Sequence, residues 1–269
     1  GTLLSRSQWI GFSGRPQTHM FSGDGRIGKH GIGLTVFQDQ LGIEKSFIAK
    51  AAYSYHLLGI GPGELGIGID IGIMNKSFGT DFVAYDDYLQ DPSIPNASTS
   101  ATSFDASFGL YYEIKETLYA GISTLHITQS SFEDSVDGGG DGALNFKQAR
   151  HYYIMGGYEW DVDGSREWVV KPSILAKTDG ASTQLDVTAL VEYNRLVWGG
   201  LSYRVQDAVA LLAGVNVPQV PGLKVGVSYD YTTSSLSSHS NGSLEFMVRY
   251  CKNISKTPKR EVYHSVRFL

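Results

Sequence analysis

Gly61-Pro62-Gly63-Glu64-Leu65-Gly66 has the spacing of the glycine turn that lets a dinucleotide approach a helix amino terminus. That chemistry needs a strand before the turn and a helix after it. The turn leads instead into Leu65, Ile67, Ile69, Ile71 and Ile73, alternating with Gly66, Gly68, Asp70, Gly72 and Met74. A period of two belongs to a strand, so the motif reads as a glycine-rich turn and no cofactor is expected. The seven histidines form no HExxH or HxH pair, and no GxSxG is present. Glu133, Asp134, Asp137 and Asp141 among the glycines at 138–140 and 142 carry calcium-type ligands but lack the ordered spacing of an EF-hand, and read as a solvated acidic loop. Tyr85, Asp86, Asp87 and Tyr88 belong to the longest connection, where aromatic and acidic side chains can serve recognition. The single Cys251 excludes an internal disulfide framework. No catalytic residue and no metal ligand is assigned, and the chain is not expected to be an enzyme.

Positions 65–74 alternate for longer than a soluble strand usually runs, which suits a tilted strand crossing a bilayer with one face in lipid and one in a polar lumen. Composition hides this: 42% hydrophobic residues, a net charge of −5 and a mean hydropathy of −0.13 look like an ordinary soluble chain. A membrane barrel dilutes its lipid face with an equal lumen face. No run approaches the roughly 18 apolar residues of a membrane helix. The 32 glycines and 16 tyrosines suit a sheet with interfacial aromatics.

Read along the chain, the pattern recurs about 14 times and predicts an all-β, transmembrane, antiparallel up-and-down barrel. Leu65, Ile67, Ile69, Ile71 and Ile73 are expected against lipid. Lys50, Asp70, Asp105, Glu113, Asp186, Lys224, Glu245 and Arg249 fall on the opposite, lumen face. Charges recurring there demand a wet interior or a polar filling, because a dry core does not tolerate them unpaired. Short connections near Gly59 to Gly63, Lys115-Glu116, Asp161 to Ser165, Asn194-Arg195 and Pro218 to Gly222 alternate with long ones near 77–101, 128–148 and 233–242. Short turns are periplasmic and long loops extracellular in such barrels, which sends both termini to the periplasm.

The chain divides into a barrel, 1–253, and a carboxy-terminal periplasmic extension, 254–269. The extension carries Lys256, Lys259, Arg260, Arg267 and Phe268, and reads either as a contact for a periplasmic partner or as a segment that folds back on the barrel mouth. The start, Gly1-Thr2-Leu3-Leu4, has no charged and apolar signal region, so any export signal is expected to have been removed.

Arg6, Gln8, Trp9 and Gly11, with Gly14, Pro16 and Thr18 after them, resemble the opening of the PorP/SprF family of Bacteroidota outer-membrane proteins. Tyr53-Ser54-Tyr55-His56-Leu57, the stretch 104–112 and the closing 265–269 resemble its later landmarks. Arg15 departs from the family's small residue before the proline, and the resemblance expects a further segment before Gly1. It implies a role in type IX secretion and gliding motility without enzymatic activity. The expected partners are outer-membrane lipids and a large secreted adhesin or its carboxy-terminal domain. The alternatives are a core adaptor to a periplasmic ring or peptidoglycan-associated lipoprotein, and a diffusion porin; no nucleic acid is expected.

Overall fold

The computed structural model describes residues 1–11, 13–79, 99–133, 145–234 and 240–252. In chain order the strands are β1 (Thr2–Ser7), β2 (Gln17–Ile27), β3 (His30–Leu41), β4 (Glu44–Ile60), β5 (Gly63–Phe78), β6 (Thr99–Ile114) and β7 (Leu118–Leu125). A small hairpin, β8 (Ser131–Glu133) and β9 (Asn145–Lys147), interrupts the next connection. Then come β10 (His151–Tyr158), the two-residue β11 (Trp160–Asp161), β12 (Trp168–Thr178), β13 (Thr183–Tyr193), β14 (Val197–Arg204), β15 (Ala208–Asn216), β16 (Leu223–Thr232) and β17 (Ser243–Tyr250).

Each main strand pairs antiparallel with its neighbours in sequence, β7 pairs with β10, β10 with β12, and β1 closes the ring on β17. The result is a closed 14-strand antiparallel barrel with no helix among the described residues. Closure matters because hydrocarbon offers no hydrogen-bond partner to an open sheet edge. The glycine-rich stretch is β5, now extended to 16 residues.

Alternation sets the two faces. Ile69, Ile71 and Ile73 are 52%, 53% and 48% exposed, and Leu65 and Ile67 share their face by parity. The neighbouring strands continue the band with Ile32, Leu34, Phe104 and Phe108, and Ile154, Leu201 and Leu211 carry it around the barrel. Among the described residues the buried hydrophobics are only Met74, Ala101, Phe132, Val169 and Ala208. A water-soluble fold does not expose so large a continuous apolar surface, whereas a membrane barrel must.

The strand ends sort into a turn end and a loop end. Short connections after β2, β4, β6, β13 and β15 share the turn end with residues Gly1 and Tyr250, while the strand ends that bound the three longest connections, together with the short β3–β4, β12–β13 and β14–β15 turns, lie at the loop end. At the turn end Asn194 and Arg195 both have positive φ, 51° and 55°, the requirement of a type I′ hairpin. The β12–β13 turn is held by Asp179, which accepts hydrogen bonds from the amides of Ser182 (2.8 Å) and Ala181 (2.9 Å); these hold its carboxyl below the usual range. Parts of the two longest connections, and the aromatic-acidic stretch at 85–88 with them, lie outside the described residues.

Ile69 sits mid-strand on the outward face, while a Cβ at Gly68 would meet no neighbour closer than 3.8 Å. Ile69→Arg is expected to cost about 2–4 kcal/mol near a bilayer midplane. Gly68→Ser should be nearly neutral. Unfolding titrations in lipid vesicles check both, and equal sensitivity at the two positions would contradict the face assignment.

Candidate functional site

The inward face concentrates the chain's chemistry, beginning with three neighbouring strands. Lys50 on β4, Gly72 on β5 and Asp105 on β6 lie in one cross-strand row. Because Gly72 has no side chain, the Lys50 stem crosses over it, and Nζ reaches Asp105 Oδ2 at 2.7 Å and Asp70 Oδ1 at 3.2 Å. A Cβ at Gly72 would collide with the main chain at Ala49 O and Lys50 Cα (2.7 Å) as well as with Lys50 Cγ (2.8 Å). Lys50 also donates to Ser107 Oγ at 2.8 Å.

Asp105 is fully buried, and its Oδ2 also meets His126 Nδ1 at 2.8 Å. His126 belongs to the β7–β10 connection and has a left-handed backbone, φ 59°. That connection runs inward rather than away. Gln148, buried, donates to Met74 Sδ at 3.0 Å, and Phe132 of β8 is 1% exposed against Met74 and Ala101, with Ile48 and Phe78 beside them. All four wall residues point inward by strand parity, so the β8–β9 hairpin is seated on the lumen wall at the loop end.

A second cluster lies on the opposite wall. Arg6 on β1 donates to Asp230 on β16 at 2.6 Å and to Glu245 on β17 at 3.3 Å. Arg204 on β14 lies 3.5 Å from Asp186, 3.2 Å from Asp207 and 3.6 Å from Asp230. At the turn end, Arg166 and Lys171 bridge Glu159, Glu116 and Glu192. Trp198 lies across the wall where Gly214 and Gly226 leave space, since a Cβ at Gly226 would approach its ring to 2.9 Å.

The opening motif ties β1 across the seam of the barrel and to β2 and β3. Beyond Arg6, the Gln8 amide donates to Pro16 O (2.9 Å), the Trp9 amide to Ser243 Oγ (3.2 Å) and the Ile10 amide to Gly242 O (2.8 Å). Gly11 and Gly14 adopt φ of 96° and 71°, where a side chain is strained. Gly14 O accepts from the Gly42 amide, and Thr18 donates to Asp39 at 2.7 Å. Arg15 donates to Ser7 Oγ at 2.8 Å.

These seam residues and the barrel they close fall within one family match: the profile described as "Type IX secretion system membrane protein PorP/SprF" covers residues 1–250. The chain belongs to the PorP/SprF family. Its place is therefore the outer membrane, and its family is one of secretion-system membrane proteins rather than known enzymes. No curated protein is significantly similar in sequence. Among solved structures, the monoaromatic hydrocarbon channel CymD is similar at 10% identity, covering 93% of this chain and 85% of that one, with a TM-score of 0.56. The P. putida toluene transporter TodX is similar at 10% identity, 94% and 87% coverage and a TM-score of 0.51. At that identity the likeness is one of barrel fold alone.

Of the charges expected in the lumen, Lys50, Asp70 and Asp105 are drawn into one cluster, and Asp186 and Glu245 into the other. Glu113 lies directly across from Glu64, and Lys224 directly across from Arg249. Lys256, Lys259, Arg260, Arg267 and Phe268 lie outside the described residues, as do Asp134, Asp137 and Asp141. No cluster suited to a metal occurs among the described residues. Sequence reading missed His126, Gln148 and Phe132, because they belong to a connection with no period to read. It missed Arg204 because its partners come from three separate segments.

Removing one partner of a buried ion pair leaves a charge uncompensated, so Lys50→Met is expected to destabilise by about 3–5 kcal/mol. The double variant Lys50→Met/Asp105→Asn should recover part of that loss. Gly72→Val should cost about 3 kcal/mol or more, because its side chain collides with the main chain of Ala49 and Lys50 as well as with the Lys50 stem. Urea unfolding in vesicles measures all three, and additive losses for the Lys50/Asp105 pair would show that the two side chains act separately.

Proposed function

We propose that this barrel holds a large adhesin exported by the type IX route at the cell surface, engaging its carboxy-terminal domain at the loop end. The observation that carries the reading is the inward-seated β8–β9 hairpin. Phe132 and Gln148 pack on the inner wall at the loop end beside the Lys50–Asp105 pair, narrowing the lumen there, which suits a scaffold better than an open pore. The connections at that end are the longest in the chain and offer the area a protein client needs. Family membership supplies the secretion context. In this orientation the turn end and both ends of the described barrel face the periplasm, in keeping with the usual short-turn asymmetry.

A deletion strain tests the proposal. Surface proteomics is expected to lose one large adhesin while other type IX cargo stays at the surface. Loss of all type IX cargo would assign the protein to the core machinery as an adaptor, and an unchanged surface would favour a diffusion role. In planar bilayers the purified protein should conduct poorly, and Phe132→Ala should raise its conductance by releasing the hairpin. A large, stable conductance from the unaltered protein would oppose the scaffold reading.

A further inference from the structure

The turn-end half of the lumen is hollow on one side. A cavity of about 550 Å³ lies against β2 to β7, where the wall carries small residues such as Gly33, Ala52, Ser54, Gly68, Gly109 and Ser123. Asp70 and Ser107 form its inner limit, shared with the Lys50 cluster. Asp70, which lines the cavity, faces Lys50 Nζ at 3.2 Å, and Asp105 lies buried behind it.

Charge around this cavity is unbalanced. Arg26 is engaged by both carboxylate oxygens of Glu64, the second at 2.9 Å. Glu113, directly opposite Glu64, and Asp24, which lines the cavity, have no ion-pair partner among the described residues. Across the barrel the turn-end wall has the reverse sign. Lys224 and Arg249 face one another on β16 and β17. The chain leaves β17 from this basic rim.

We infer that the chain's own carboxy-terminal segment, residues 254–269, occupies the acidic, glycine-lined cavity from the turn end. Four cations, Lys256, Lys259, Arg260 and Arg267, stand in it against one acid, Glu261, in a chain whose net charge is −5. It leaves the barrel beside Lys224 and Arg249, which repel it, and faces Asp24, Glu64 and Glu113, which attract it. Reach is sufficient. A 14-strand barrel with strands about 4.8 Å apart, tilted about 40°, is about 28 Å across, while the 17 residues from 253 to 269 span up to about 56 Å when extended. A wall of small residues leaves room for an extended peptide, and its basic side chains match the unpaired acids Asp24 and Glu113 on that side. The inference does not depend on the client proposed above.

Limited trypsin digestion of the full-length protein in nanodiscs tests this, with a synthetic peptide of residues 253–269 as reference. Cleavage after Lys256, Lys259, Arg260 and Arg267 is expected to be at least about tenfold slower in the intact protein than in the peptide, as for a segment docked about nine-tenths of the time. Asp24→Asn/Glu113→Gln should bring the rate close to the peptide's. If that variant fails to insert, raising the salt from about 0.05 to about 0.5 M on the unaltered protein supplies the same test, since screening releases a charge-held segment. Cleavage of the intact protein at the peptide's rate would overturn the inference. So would protection indifferent to both the carboxylates and salt, and so would protection that appears only when a periplasmic partner is added.

Discussion

Everything in this molecule depends on the sheet closing on itself. A strand edge in hydrocarbon strands a row of unsatisfied amides and carbonyls, each costing several kcal/mol, so β1 and β17 must find each other although they lie at opposite ends of the sequence. The short β1 contributes six register pairs to that seam. Arg6 adds charge-assisted hydrogen bonds to Asp230 and Glu245, and the loop after it exchanges main-chain bonds with residues 241 and 242. Arg6 and Trp9 of the family's opening thus help to fasten the two ends of the barrel together.

Closure then creates the second constraint, an interior that must be filled without becoming a packed apolar core. The chain meets it by juxtaposing charges of opposite sign on facing strands and by withholding side chains where a long neighbour must pass. Lys50 over Gly72 and Trp198 over Gly214 and Gly226 are the same device with different cargo. A buried carboxylate such as Asp105 is tolerable only because a lysine and a histidine from separate segments converge on it. Breaking such a set costs more than its presence contributes, which makes these networks fix geometry more than they raise stability.

The two halves of the lumen are unlike. At the loop end, a connection folds inward and lays Phe132 on the wall beside Met74 and Ala101, giving a small apolar seat inside an otherwise polar space. At the turn end, glycine, alanine and serine leave one wall bare, with acids on that side and bases on the other. Charges divided in this way orient whatever enters far more than they hold the barrel itself. The likeness to hydrocarbon channels is one of barrel architecture, which by itself carries no function.

Period-two alternation determined the architecture, because along a strand the side-chain face is a local property: once Ile69 faces out, Asp70 must face in. The number of strands and the asymmetry of short and long connections were legible for the same reason. The opening motif and its family were legible too, but not its use, since nothing in the spacing of Arg6, Trp9 and Gly11 reveals that they meet residues near 230 and 241–245. Only the tertiary structure decided which lumen charges become partners. Lys50 and Asp105 are 55 positions apart and Asp105 and His126 another 21, distances in sequence that carry no distance in space until strand register is fixed. It likewise laid Phe132 and Gln148 against the inner wall, because an isolated Phe132 in a connection has no periodic neighbour to announce its burial, and its seat is formed by the inward side chains of β4, β5 and β6.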